Sequence, residues 1–177
     1  MDGLEIRDVT AADLVDVTAL IVKVFAKYVG PGFAPAGVDN FLAFVEPAAI
    51  SLRLAVKSFM LTARCRGQLV GVVEVSDGHH IALLFVNEAF HRRGIGRRLV
   101  EAALARCELL PPGELTVNSS PYAVPVYGRL GFCRLGPEEE KDGIRFVPMA
   151  LNQFLAYSLR RTNDGKKHPH HLRPAGS

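Results

Sequence analysis

The chain has 177 residues, 49% of them hydrophobic and 22% charged, with a formal net charge of +3 at pH 7. Such a composition suits a single globular domain with a full core, and three widely spaced cysteines (Cys65, Cys107 and Cys133) without metal-ligand spacing support neither a disulfide framework nor a zinc site. The N-terminus has no basic flank or apolar run, and no stretch approaches the ~20 apolar residues of a membrane span, so a cytoplasmic protein without membrane contact is expected.

Leu4 to Val9 reads as a first strand. Thr10 and Asp13 then resemble a capping box, opening a helix with Leu14, Val17, Ile21, Val24 and Tyr28 at intervals of three or four. Gly30 and Pro31 end it, and a loop containing Phe33 leads to a second helix with Val38, Phe41, Leu42 and Val45 that stops near Pro47. Phe59 to Cys65 and Leu69 to Val75 follow as two strands turned at Arg66 and Gly67. Asp77-Gly78 signals a hairpin into a third strand, His80 to Val86. That third strand is almost wholly apolar, which places it centrally with both faces covered.

The next stretch, F-V-N-E-A-F-H-R-R-G-I-G-R-R-L from Phe85 to Leu99, organises the rest. Gly94 and Gly96 remove side chains where backbone N–H groups approach a ligand, and the helix that follows presents its positive dipole end there. Arg92, Arg93, Arg97 and Arg98 surround the turn, so a phosphate entering it meets fixed donors and mobile charge. No G-x-x-x-x-G-K-[ST] run occurs, and Leu99 stands where a dinucleotide fingerprint needs its third glycine. The helix carries Ile95, Leu99, Ala103 and Cys107 on one stripe and stops at Pro111-Pro112-Gly113.

Glu114 to Asn118 is the next strand, parallel to the one before it through a right-handed crossover. Ser120 and Pro121 resemble an N-cap and first helical residue, although Pro125 then lies too deep unless the helix starts later or bends. Gly131 is placed as a C-cap, Phe132 to Leu135 begins a strand, and the loop G-P-E-E-E-K-D-G leads to a last strand from Ile144 to Leu151. Residues 1–159 are expected to form one domain, and residues 160–177 a basic tail with five basic residues and one acidic. Taking those four charges from +3 leaves the body at −1, which argues against a nucleic-acid surface. The tail's H-P-H-H run has few residues of ligand type nearby, so it reads as solvated chain and not as a metal site.

The run H-R-R-G-I-G and the later L-T-V-N-S-S-P-Y-A-V-P-V-Y-G-R-L-G-F, residues 115–132, together resemble the two motifs of the GNAT superfamily of N-acetyltransferases. His91 stands where those motifs carry Arg or Gln, and Ser120 where many carry Asn. The resemblance implies an α/β (α+β) fold with a mixed, mostly antiparallel sheet flanked by helices. It implies acetyl-CoA as cosubstrate and no metal. Coenzyme contacts would come from Phe85, Val86, Arg92, Arg93, Gly94, Ile95, Gly96, Arg97, Arg98 and Ser120, with the pantetheine arm paired along the strand ending at Phe85 and Val86. By the same resemblance the helix-loop-helix region near the N-terminus borders the acceptor pocket, where Phe25, Tyr28 and Phe33 are candidate lining residues, Phe33 first because it stands in a loop. Dimers are common in that superfamily, but no interface stripe in the sequence can be distinguished from core.

Acetyl transfer to an amine needs a polarised thioester, an unprotonated amine and a proton for the departing thiolate. Tyr127 is the candidate acid, because a phenol of pKa about 10 stays neutral at pH 7 until the thiolate needs its proton. Glu74 is the first candidate base, since it interrupts the apolar strand V-V-E-V; His79 and His80 beside the turn are further candidates. The acidic run Glu138, Glu139, Glu140 and Asp142 could draw in a cationic acceptor, or be solvated surface. The expectation is therefore an N-acetyltransferase acting on a primary amine of a small molecule or peptide. Two alternatives stand beside it, a coenzyme-A-binding regulator acting through a partner and a nucleic-acid-binding module.

Overall fold

A computed structural model describes residues 3–107 and 114–151; the stop at Pro111-Pro112-Gly113 and the tail with its H-P-H-H run lie outside them. The described strands are β1 (Leu4–Asp8), β2 (Ser58–Cys65), β3 (Gln68–Ser76), β4 (His80–Val86), β5 (Thr116–Ser119), β6 (Phe132–Arg134), β7 (Glu139–Lys141) and β8 (Ile144–Leu151). The α-helices are α1 (Leu14–Tyr28), α2 (Pro35–Phe44), α3 (Pro47–Val56), α4 (Ile95–Arg106) and α5 (Val124–Arg129). The sheet runs β1-β2-β3-β4-β5-β8-β6, with β7 paired to β8 beside this path. Every pairing is antiparallel except β4 with β5.

Apolar stripes on the helices cover the two faces. Leu14, Val17, Ile21 and Val24 of α1 bury against Met60, Val72 and Leu83 on one face. On the other, Ile95, Leu99 and Ala103 of α4 bury against Ala63, Val73 and Val75. Each fully buried side chain of this size contributes about 1.5–3 kcal/mol. The close seat of α4 depends on Gly71 in β3: a Cβ there would stand 3.0 Å from Leu99 Cδ1 and 3.2 Å from Ile95 Cγ2. At the β1 edge of the sheet Asp13 is buried and accepts bonds from Arg7 (2.9 and 3.0 Å), Arg64 (2.5 Å) and the Thr10 N–H (2.8 Å). The Arg7 bonds, with those from Thr10 and Arg64, hold its carboxyl well below the usual carboxylate range.

One helix is additional to the sequence reading, and another starts later, one of the two alternatives that its proline left open. The second helix does stop just before Pro47, at Phe44, but Pro47 itself opens a further helix, standing in the first turn of α3 after Glu46 as N-cap; its missing N–H is one the first turn leaves unpaired anyway. Pro125 likewise falls in the first turn of α5, because that helix begins at Val124 and not at Pro121. Part of the acidic loop is also regular: Glu139–Lys141 pairs with Ile144–Phe146 around a turn where Asp142 and Gly143 have φ of +53° and +78°.

A bulge positions the site. Glu74 faces Leu83 and Val75 faces Ile81, so Ala82 is an extra residue on β4. Such an insertion bends the strand and increases its twist. β4 and β5 part at this point, after only two paired rungs, His80 with Thr116 and Ile81 with Val117.

Candidate active site

Beyond those two rungs no ladder joins β4 to β5, leaving backbone groups along Ala82 to Val86 able to pair with an extended ligand as with an added strand. A cavity of about 1600 Å³ occupies the gap and extends onto both faces of the sheet. Its lining includes Phe85, Val86, Arg92, Gly94, Ile95, Gly96, Arg97 and Ser120, together with Tyr28, Phe33, His80 and Tyr127.

Where the gap meets α4, the chain makes the turn that the two glycines allow. Gly94 caps the helix with φ +77°, a left-handed conformation that glycine adopts at no steric cost. Arg98 N–H bonds Gly94 O at 3.1 Å, and the N–H groups of the first turn ahead of it have no intrahelical acceptor. A Cβ on Gly94 would meet nothing within 4 Å, and one on Gly96 only Val86 Cγ2 at 3.9 Å. Packing therefore does not require Gly96 to lack a side chain, whereas an anion approaching the helix end does; a pyrophosphate fits this cradle. Arg97 lines it with its Nη2 donating to Arg129 O at 3.3 Å. Arg93 and Arg98 are exposed and outside the cavity lining, and the Arg93 guanidinium lies 5.3 Å from the Phe90 ring centre.

His91 is bonded to the strand that precedes it. Its Nε2 lies 2.7 Å from Val86 O, and since a carbonyl only accepts, Nε2 carries the proton. The ring thus fastens the end of β4 and stands 5.6 Å from that of Tyr28, which stacks at 5.2 Å on Tyr122.

The two faces of the gap bear different chemistry. Ile81 and Val117 join the core under α4 and α5, so His80 and Thr116, one residue earlier on each strand, point to the face of α1 and α2. Tyr127 belongs to the α4 and α5 side, packed edge-on to Phe132 at 5.2 Å. Burial raises its pKa above the ordinary phenol value, so the hydroxyl keeps its proton far into the alkaline range. His80 Nδ1 lies 2.8 Å from Thr116 Oγ1, whose own proton has the His79 carbonyl at 3.4 Å as acceptor. We therefore assign the His80 proton to Nδ1, which leaves the Nε2 lone pair free. Burial, helped by the neighbouring His79 and opposed by Asp77, lowers the His80 pKa below 6.5.

Glu74 is not brought to the cavity. It is fully buried and receives a bidentate bond from Arg53, Nε to Oε1 at 2.7 Å and Nη2 to Oε2 at 2.9 Å. Both its oxygens are taken up by Arg53 and neither lines the cavity, so it is not placed to meet a substrate there. Arg53 also donates to Phe44 O at 2.7 Å and stacks 3.7 Å from the Phe44 ring centre, so Glu74 anchors the end of α2. His79 donates Nδ1–H to Asp77 O at 2.7 Å and also lies outside the lining. Of the acidic run only Asp142 lines the cavity; Glu138 pairs with Arg145. The sequence reading had not singled out Phe44 or Phe146 as lining residues, both of which the structure places there. Strand alternation around Val147 and Met149 was the one signal that could have pointed to Phe146. Among the described residues no group of His, Cys, Asp and Glu could hold a metal ion, and no helix is long and apolar enough to cross a membrane.

Residues 29–153 match the family model of the acetyltransferase (GNAT) domain. YafP of Escherichia coli K12, an uncharacterized N-acetyltransferase, is 26% identical over 132 residues, which cover 75% of this chain and 83% of YafP. Among solved structures, a GCN5-related N-acetyltransferase from Rhodopseudomonas palustris superposes with a TM-score of 0.70 at 21% identity, covering 86% of this chain and 97% of that one. The PaiA N-acetyltransferase of Thermoplasma acidophilum, solved with coenzyme A, gives 0.66 at 14% identity, covering 84% and 99%.

Proposed function

The chain belongs to the GNAT acetyltransferase family and is an acyltransferase, and from that premise we propose that it carries the acetyl group of acetyl-CoA directly to a primary amine of a small molecule or peptide bound beside it. The observation that carries this reading is the parting of β4 and β5 with Tyr127 on one face and His80 on the other. Acetyl-CoA supplies the activated acyl group as a thioester. The α4 cradle with Arg92 and Arg97 binds its pyrophosphate. The free edge of β4 near Phe85 and Val86 binds the pantetheine arm, and a backbone N–H there polarises the acetyl oxygen. His80 Nε2 takes the proton of the attacking amine, and the Tyr127 hydroxyl gives its own to the thiolate on the opposite face.

Calorimetric titration of acetyl-CoA, followed in the same preparation by thiol release against a panel of amines, tests the proposal. Saturable binding with amine-dependent thiol release is expected; a flat titration would overturn it.

His80 makes a separate prediction. Its lowered pKa keeps the imidazole neutral and able to accept a proton above the shifted value, so activity is lost as pH falls through it. Plotted against free amine, kcat/KM should show an acid limb with its midpoint below 6.5. His80→Gln should remove that limb and lower kcat/KM at pH 7.5 about 100-fold, within the usual worth of a general base. An unchanged limb would assign the base elsewhere.

A further inference from the structure

We infer that the acceptor is a compact arylalkylamine, a single primary amine on an aromatic body, in preference to a polyamine or a polypeptide; the inference rests on the acetyl-transfer reading above. Three observations on the α1 and α2 face converge on it.

The first is the walls. Phe41 of α2 stacks on Phe25 at 4.0 Å between ring centres and stands 5.9 Å from Phe85 of β4. Phe44 follows on α2, its orientation fixed by the Arg53 guanidinium that Glu74 holds. Across the cavity, Phe146 of β8 points to the same side, because its neighbour Val147 joins the opposite core. Rings at such walls favour a flat apolar body in offset or edge-on contact, while a flexible, hydrated chain gains little.

Charge is the second. Of the residues lining the whole cavity, one carries a carboxylate, Asp142, against Arg92, Arg97, Arg129, Lys141 and Arg145. Arg92 and Arg97 belong to the pyrophosphate cradle and Arg145 is paired with Glu138, so the lining offers a single carboxylate, Asp142, to hold a second or third ammonium group. One amine is tolerable because His80, a neutral polar group, marks the parting of the strands among these apolar surfaces.

The third is a clasp joining two walls. Ala34 N–H bonds Gly143 O at 3.1 Å and Asn40 Nδ2 bonds Asp142 O at 3.1 Å. The backbones touch so closely that a Cβ on Gly37 would fall 2.1 Å from Gly143 O. The β7–β8 turn is thereby fixed to the start of α2, and an extended polypeptide has no way through on that side.

The experiment compares 2-phenylethylamine with putrescine, spermidine and a lysine-containing decapeptide at saturating acetyl-CoA, after calorimetry on the same preparation has measured acetyl-CoA binding. The arylalkylamine should show kcat/KM at least about tenfold above the others, the selectivity that one well-filled apolar subsite provides. Phe146→Ala should raise the ratio of the KM for 2-phenylethylamine to that for ethylamine about tenfold. Should that variant fail to fold, Phe44→Leu should shift the same ratio in the same direction. Equal or faster turnover of a polyamine or the peptide, or bound acetyl-CoA with no turnover of 2-phenylethylamine, overturns the acceptor class and leaves the acetyl-CoA reading intact. Absence of acetyl-CoA binding overturns that reading itself.

Discussion

Gly96→Glu should lower acetyl-CoA affinity at least about 100-fold, since a like charge set against bound phosphate costs several kcal/mol. The position is the second residue of α4, where N–H groups and the helix dipole favour an anion. A glutamate there puts bulk and negative charge at the mouth of the cradle. The comparison that isolates this effect is Gly96→Ala, whose Cβ meets only Val86 Cγ2 at 3.9 Å, an ordinary van der Waals distance. Alanine also favours helix over glycine by about 0.8–1.0 kcal/mol, so thermal stability should not fall in that variant. Calorimetry on both, with a melting curve for each, checks the prediction. Equal affinity of Gly96→Glu and the unmodified protein would remove the cradle from the mechanism.

The turn and helix start that would form that cradle were legible in the sequence because their demands are local. A left-handed cap and an unobstructed helix start require glycine at fixed positions, and Gly94 and Gly96 announce both. The strands from Ser58 to Val86 were legible too, since short apolar runs are bounded by the Arg66-Gly67 and Asp77-Gly78 turns, all with positive φ. What escaped depends on distant partners. Pro47 ends one helix and begins another, and proline serves either purpose equally well. Missing α3 meant missing Arg53, so Glu74 looked like an unpartnered carboxylate in an apolar strand when its partner lies 21 residues upstream. His80 stands beside a turn, where nothing in the sequence sets it apart from His79. Its placement at the parting of two strands depends on the bulge at Ala82, which no local pattern marks.

Replacing Tyr127 with phenylalanine should lower kcat about 100-fold while leaving the dissociation constant of acetyl-CoA within about twofold. The separation of the two constants is the point, because the phenol acts only as charge develops on the departing sulfur. Burial has raised the Tyr127 pKa, which alone would make it a reluctant acid. The same dry surroundings, however, raise the proton affinity of the thiolate, so the difference between the two groups decides the transfer and not either value alone. Fold damage is expected to be slight: the ring still packs edge-on to Phe132, and only a hydroxyl at the cavity surface is lost. Pre-steady-state thiol release resolves the chemical step from product release. A variant with unchanged chemical rate would pass the role to water, and one with weakened acetyl-CoA binding would make Tyr127 a packing residue of α5.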